Sequence, residues 1–155
     1  MIQRIQSLYL TLVILLTLFL FRGNVFNFAG ESGEVIKLLL TGVLMDNEGR
    51  LFAQVSNLWL LTVILVVIPF MSLITILMFR NRKIQLLFAI LVVMMSSGLI
   101  IALFYYAYSV MDNYKMVIIP GFKMVIPLII LIFSILAYRG ILKDDRLVKS
   151  YDRLR

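Results

Sequence analysis

Residues 58–110 read LWLLTVILVVIPFMSLITILMFRNRKIQLLFAILVVMMSSGLIIALFYYAYSV, two apolar runs joined by Arg80-Asn81-Arg82-Lys83. The first run, 58–79, is roughly 33 Å long as a helix and the second, 84–110, roughly 40 Å, each enough to cross a hydrocarbon core. Neither contains Asp, Glu, Lys or Arg, and three cations in the four joining residues mark a short cytoplasmic turn. Pro69 interrupts the first run and predicts a kink there, tolerated where neighbouring helices supply hydrogen-bond partners.

Two more runs flank this pair. Residues 5–21, between Arg4 and Arg22, are roughly 25 Å as a helix, just enough to span. The start resembles a secretory leader, but no small-x-small cleavage site follows in FRGNVFNF, so an uncleaved span is expected. The last run, 124–138, is short. It gains length if the helix begins near Phe122, with Lys123 snorkelling to the outer interface and Pro127 in the first turns, where a missing amide hydrogen costs least. The fold expected is an all-α membrane protein: one domain over 1–155, with spans near 5–21, 58–79, 84–110 and 122–138 forming a four-helix bundle.

Composition agrees. In 155 residues, 63% are hydrophobic and 15% charged, outside the range of soluble domains. No Cys and no His are present, which removes disulfides, thiolate chemistry, imidazole bases and the usual zinc, haem and iron–sulfur ligands. Without charged residues in the four runs, proton relays and buried ion paths lack their usual carriers.

Cation counts orient the chain. With both termini inside, Arg4, Arg80, Arg82, Lys83, Arg139, Lys143, Arg146, Lys149, Arg153 and Arg155 are cytoplasmic, ten in all, against five outside: Arg22, Lys37, Arg50, Lys115 and Lys123. The expected localisation is the bacterial inner membrane, with both chain ends cytoplasmic.

The outer segment 22–57 is too long and too apolar for a plain linker. VFNF, VIKLLLTGVL and LFAQV, separated by ESGE and MDNEGR, predict two or three short antiparallel strands capping the helices. Glu31, Glu34, Asp46 and Glu48 lie in separate turns, the ordinary place for solvated acids, and no metal site is read from them.

Within the spans, Thr11, Thr17, Thr62, Ser72, Thr75, Ser96, Ser97, Ser109 and Ser134 are expected to bond to their own or a neighbouring helix. Tyr105, Tyr106 and Tyr108 sit where an outer aromatic belt falls. Gly98 and Ala102, four apart, make a thin helix face suited to close contact inside the bundle or with another membrane protein. Met94 and Met95 read as core filler.

The chain closes with KDDRLVKSYDRLR (143–155), whose Leu147, Tyr151 and Leu154 fall at i, i+4 and i+7 with Val148 alongside. A short amphipathic cytoplasmic helix is expected, continuing the fourth span or renewed after it, with Asp145 and Lys149 paired at i, i+4. Residues 139–155 hold six cations and three aspartates, a balance of +3, so Arg146, Leu147, Lys149, Tyr151, Arg153 and Leu154 are the candidate contacts with a partner or with anionic headgroups. Interspersed aspartates argue against nucleic acid.

The two chain ends also carry a resemblance. MIQRIQSLYL at the start and RGILKDDRLVKSYDRLR (139–155) at the end resemble a Bacteroidota family of small four-span membrane proteins catalogued as a domain of unknown function, most specifically in MIQRIQ and in Asp145, Leu147, Val148, Ser150, Asp152, Arg153, Leu154 and Arg155. The resemblance implies a four-helix inner-membrane protein and brings no activity with it.

The functional expectation is a non-catalytic accessory, scaffold or assembly subunit without cofactor, partnered by the bilayer and another membrane protein. The alternative is a carrier or binder of lipid or another apolar molecule within the bundle. A membrane enzyme working through Asp112, or through Asp144 with Asp145, and a sensor linking outer loop to tail rank below these.

Overall fold

The computed structural model describes the backbone of residues 3–22, 24–29, 35–39, 42–47, 50–52, 58–79, 81–115 and 117–152. It is mostly helical, with a small sheet at one end. Four helices, α1 (Gln3–Phe21), α2 (Trp59–Leu77), α3 (Arg82–Tyr114) and α4 (Ile126–Asp152), form an up-and-down ring in which α1 packs on α2 and α4, and α3 packs on α2 and α4.

The buried positions explain the packing. Their regular part is Gln6, Leu10, Val13, Thr17 and Leu20 on α1; Leu61, Leu65, Ile68, Ser72 and Thr75 on α2; Gln85, Ala89, Val92, Ser96, Leu99 and Leu103 on α3; and Ile130, Ser134, Ala137, Ile141 and Asp144 on α4, with Ala107, Val110, Ile126 and Pro127 buried nearer the sheet. Spacings of three and four alternate along each stripe, the 3.5-residue repeat that keeps one seam of a helix turned inward in left-handed bundles. The outward faces are also apolar: Leu15, Phe19, Phe70, Leu77, Ile101 and Ile132 are all more than half exposed.

Among the described residues three helices are long and apolar enough to cross a membrane: Trp59–Leu77, Arg82–Asn113 and Phe122–Leu147. The apolar part of α1, Ile5–Phe21, is shorter. Pro69 lies within an unbroken α2, and Pro127 sits in the first turn of α4 behind a 3₁₀ turn at Phe122–Val125.

At one end the segment after α1 makes β1 (Asn24–Ala29), β2 (Val35–Leu39), β3 (Gly42–Asn47) and β4 (Arg50–Phe52). These join β5 (Val117–Ile119), from the α3–α4 connection, in a five-stranded sheet ordered β4-β3-β2-β1-β5, antiparallel throughout. The expectation of two or three strands is therefore corrected: VIKLLLTGVL folds back on itself as β2 and β3, and β5 adds to the far side of β1. A register shift between Asn24 and Phe26 marks a bulge at Val25. An extra residue in one strand lets neighbouring side chains face the same way. Val25, Phe26 and Phe28 are accordingly all buried, in the same core cluster as Leu20, Leu58 and Ile126, so β1 plugs that end of the bundle. The expected ESGE turn, Glu48 and most of LFAQV lie outside the described residues.

Lys123, expected at an interface, sits at this end. Its Nζ donates to the Arg22 carbonyl and lies 5.4 Å from the Phe19 ring centroid, tying the start of α4 to the end of α1.

One expectation is refined at the opposite end, and one changes midway along the bundle. Of the two forms the closing segment allowed, the structure shows the continuing one: α4 runs unbroken from Ile126 to Asp152, its inward stripe passing through Ala137, Ile141 and Asp144. Met94 and Met95 face outward, 64% and 37% exposed, because the inward stripe of α3 passes through Val92 and Ser96 on either side of them.

Candidate functional site

The end of the bundle away from the sheet carries the start of α1, the α2–α3 turn and the last turns of α4. Here the inward stripes run out of apolar residues and place Gln6, Gln85 and Asp144 inside. Gln6 Nε2 donates to Asp144 Oδ2 at 2.7 Å, across 138 residues of sequence. The same oxygen lies 3.6 Å from Arg82 Nη1, close enough for attraction but too far for a hydrogen bond. That nitrogen is buried and finds no other partner among the described residues. Gln85 Nε2 donates to the Thr75 carbonyl at 3.3 Å, bridging α3 to α2.

A charge-assisted hydrogen bond of the Gln6–Asp144 type is worth about 1.5–3 kcal/mol, and leaving one buried partner unsatisfied costs a similar amount. The geometry needs helices that touch. At Gly140 an added Cβ would fall 2.9 Å from Gln6 Cγ, so glycine here sets how closely α1 and α4 approach. One turn further in, Tyr9 and Phe133 stack with centroids 5.9 Å apart.

Midway along the bundle, the Ser96 and Ser134 hydroxyls lie 3.0 Å apart across α3 and α4. Each also reaches its own helix, Ser96 Oγ to the Val93 carbonyl at 2.9 Å and Ser134 Oγ to the Leu131 carbonyl at 2.7 Å. A hydroxyl has one proton, so one of the pair gives it to its carbonyl while the other bridges. Thr11, Thr17, Thr62, Ser72, Thr75 and Ser97 donate to carbonyls three or four residues back, as expected. Ser109 instead accepts from Asn113 Nδ2.

The sequence-based candidates are dispersed. A Cβ on Gly98 would meet nothing within 4 Å, so no described part of this chain presses on it, whereas Ala102 packs partly buried against the core. Arg146 and Leu147 are exposed on α4. Lys149 and Tyr151 continue that helix with side chains outside the described residues, as are Arg153 and Leu154 altogether, so the Asp145–Lys149 pairing and most of the apolar stripe fall there too. Tyr105 and Tyr108 are exposed, 69% and 70%, with Tyr106 partly buried edge-on to Tyr105. Among the described residues no cluster of acids could hold a metal.

Sequence reasoning weighed Asp144 with Asp145 as the acids of a membrane enzyme and passed over Gln6, Gly140 and Arg82 as site residues. The signal was present in the spacing: Gln6 stands four before Leu10, and Asp144 three after Ile141, on the stripes that turn inward.

Residues 2–154 match the family described as a domain of unknown function (DUF4293), and the chain belongs to that family. No curated protein and no solved structure matches it. Gln6, Gly140 and Asp144 all lie within the matched region, in the two end segments that carried the sequence resemblance.

Proposed function

We propose that the chain is a four-span integral membrane protein of a bacterial inner membrane, α1 included, serving as a non-catalytic accessory, scaffold or assembly subunit of a larger membrane complex. The observation that carries the membrane reading is the distribution of polarity. Outward faces are apolar on all four helices, while Thr17, Ser72, Thr75, Gln85, Ser96 and Ser134 are inside. Water-soluble proteins rarely expose apolar surface so continuously, whereas lipid accepts it.

The cationic α2–α3 turn and both helix ends at the Gln6–Asp144 end favour the cytoplasm for that side. The sheet, with Trp59, Tyr105 and Tyr108 exposed nearby, then faces outward with an aromatic belt. Support for the non-catalytic reading comes from how the buried polar side chains are used: Gln6, Gln85, Ser96 and Ser134 bond across to a neighbouring helix, and Thr17, Ser72 and Thr75 bond back to their own.

The chain has no cysteine, so single cysteines can be placed without a background. In intact spheroplasts a membrane-impermeant maleimide should label Val117→Cys and spare Lys143→Cys; the reverse pattern, or equal labelling, refutes the topology. Copurification in mild detergent should recover a stoichiometric membrane partner. A lone, monodisperse chain in several detergents would refute the subunit reading.

A further inference from the structure

At the Gln6–Asp144 end, a groove of about 730 Å³ lies on the outer side of α4, with Tyr9 of α1 as one wall and Leu136, Gly140 and Leu142 beside Arg139, Lys143 and Arg146 as the rest of its lining. We infer that this groove is a binding site for one anionic phospholipid of the leaflet on that side, its acyl chains on Leu136 and Tyr9 and its phosphate among Arg139, Lys143 and Arg146. The inference rests on the membrane reading proposed above.

Three observations point to this ligand. First, the lining changes character along the helix axis. Leu136 to Arg146 is a rise of roughly 15 Å, from apolar to cationic, the length scale over which a phospholipid passes from chain to headgroup. Arg139 is the first charged residue after 124–138, so the change falls where the apolar span ends.

Second, the cations share one side of α4. Positions 139, 143 and 146 are i, i+4 and i+7, and all three side chains are exposed. Among the described residues none of them has a carboxylate within ion-pairing distance. Third, the nearby acids stand outside it. Asp144 is held inside by Gln6 and Arg82, and neither Asp144 nor Asp145 is among the residues that line the groove.

Basic pockets between helices at the cytoplasmic side suit anionic headgroups, and a flat basic surface would attract the same lipids less selectively. Gly140 gives the groove its floor. Without a side chain there, α1 comes close enough to be the second wall.

The test uses the full chain purified in detergent and exposed to phosphatidylglycerol, phosphatidylcholine or inorganic phosphate, with retained lipid read by native mass spectrometry. Phosphatidylglycerol should be retained at collision energies that strip phosphatidylcholine, and millimolar phosphate should not displace it. Lys143→Gln should lower that preference about fivefold, the effect of one cation at a surface. Lys83→Gln, an exposed lysine at the same end but outside the groove, should leave it within about twofold. Equal loss in both variants would overturn the site in favour of general surface charge, no preference in the parent chain would overturn it outright, and displacement by phosphate would assign it to the free anion. Resistance to alkaline carbonate extraction, measured on the same membranes, separates these failures from a failure of the membrane reading.

Discussion

Two glycines give opposite forecasts for the same substitution. Gly140→Ala puts a methyl group 2.9 Å from Gln6 Cγ, a contact real structures do not make, whereas at Gly98 the same methyl meets nothing within 4 Å. Both positions are inside helices, α4 and α3, so both gain the intrinsic preference of alanine over glycine, about 1 kcal/mol. That gain cancels when the variants are compared. What remains is the overpacking at Gly140, about 1–3 kcal/mol, because Gln6 Cγ lies near the helix backbone and its amide is held by Asp144 at 2.7 Å. Gly98→Ala should therefore stabilise by up to about 1 kcal/mol, and Gly140→Ala should be neutral to destabilising by about 2 kcal/mol. The measurement is SDS-driven unfolding in mixed micelles followed by circular dichroism, with the parent chain in parallel. Equal shifts of the same sign would refute the close approach of α1 and α4, since only the clash distinguishes the sites.

Other expectations follow from the same contacts. Gln6→Ala and Asp144→Ala should each destabilise by about 1–3 kcal/mol, and the double variant should cost less than their sum by about 0.5–3 kcal/mol; strict additivity in the unfolding assay would break the pairing. Ser134→Ala should cost only about 0.6 kcal/mol, the usual worth of an interhelical hydroxyl bond in lipid, because Ser96 keeps the Val93 carbonyl as an alternative acceptor; a loss above about 2 kcal/mol would mean the bridge is more than a packing contact.

Most of the helical layout was legible because apolar runs bounded by Arg80–Lys83, Arg22 and Arg139 need only local counting. The sheet was half legible. VFNF announced β1, but the bulge that buries Val25 beside Phe26 depends on pairing with β2, and β5 is three residues whose strand character comes from lying beside β1. Outward-facing Met94 and Met95 were misread because runs apolar on every side hide their inner face. In soluble helices polar residues mark the outside, and here the rule inverts: Thr17, Ser72, Ser96 and Ser134 mark the inside.

That inversion also accounts for the two end segments that carry the family resemblance. A seam of Leu, Val, Ile and small residues repeating every 3.5 positions fits its neighbours nearly as well after a slide of one turn, about 5.4 Å, so apolar packing alone leaves axial register weakly fixed. Gln6 and Asp144 remove the degeneracy. If α1 slid one turn along α4, Asp144 would lose its amide donor and keep only the longer approach of Arg82 at 3.6 Å to offset its burial. Gly140 adds a steric stop, since only at that level can α1 come as close as it does. A single buried polar pair acting as a register device is the best-attested use of such pairs in helical bundles, and here its partners stand on α1 and α4 at one end of the bundle. The polar ends of this chain thus align the helices whose outward cations, Arg139, Lys143 and Arg146, line the groove.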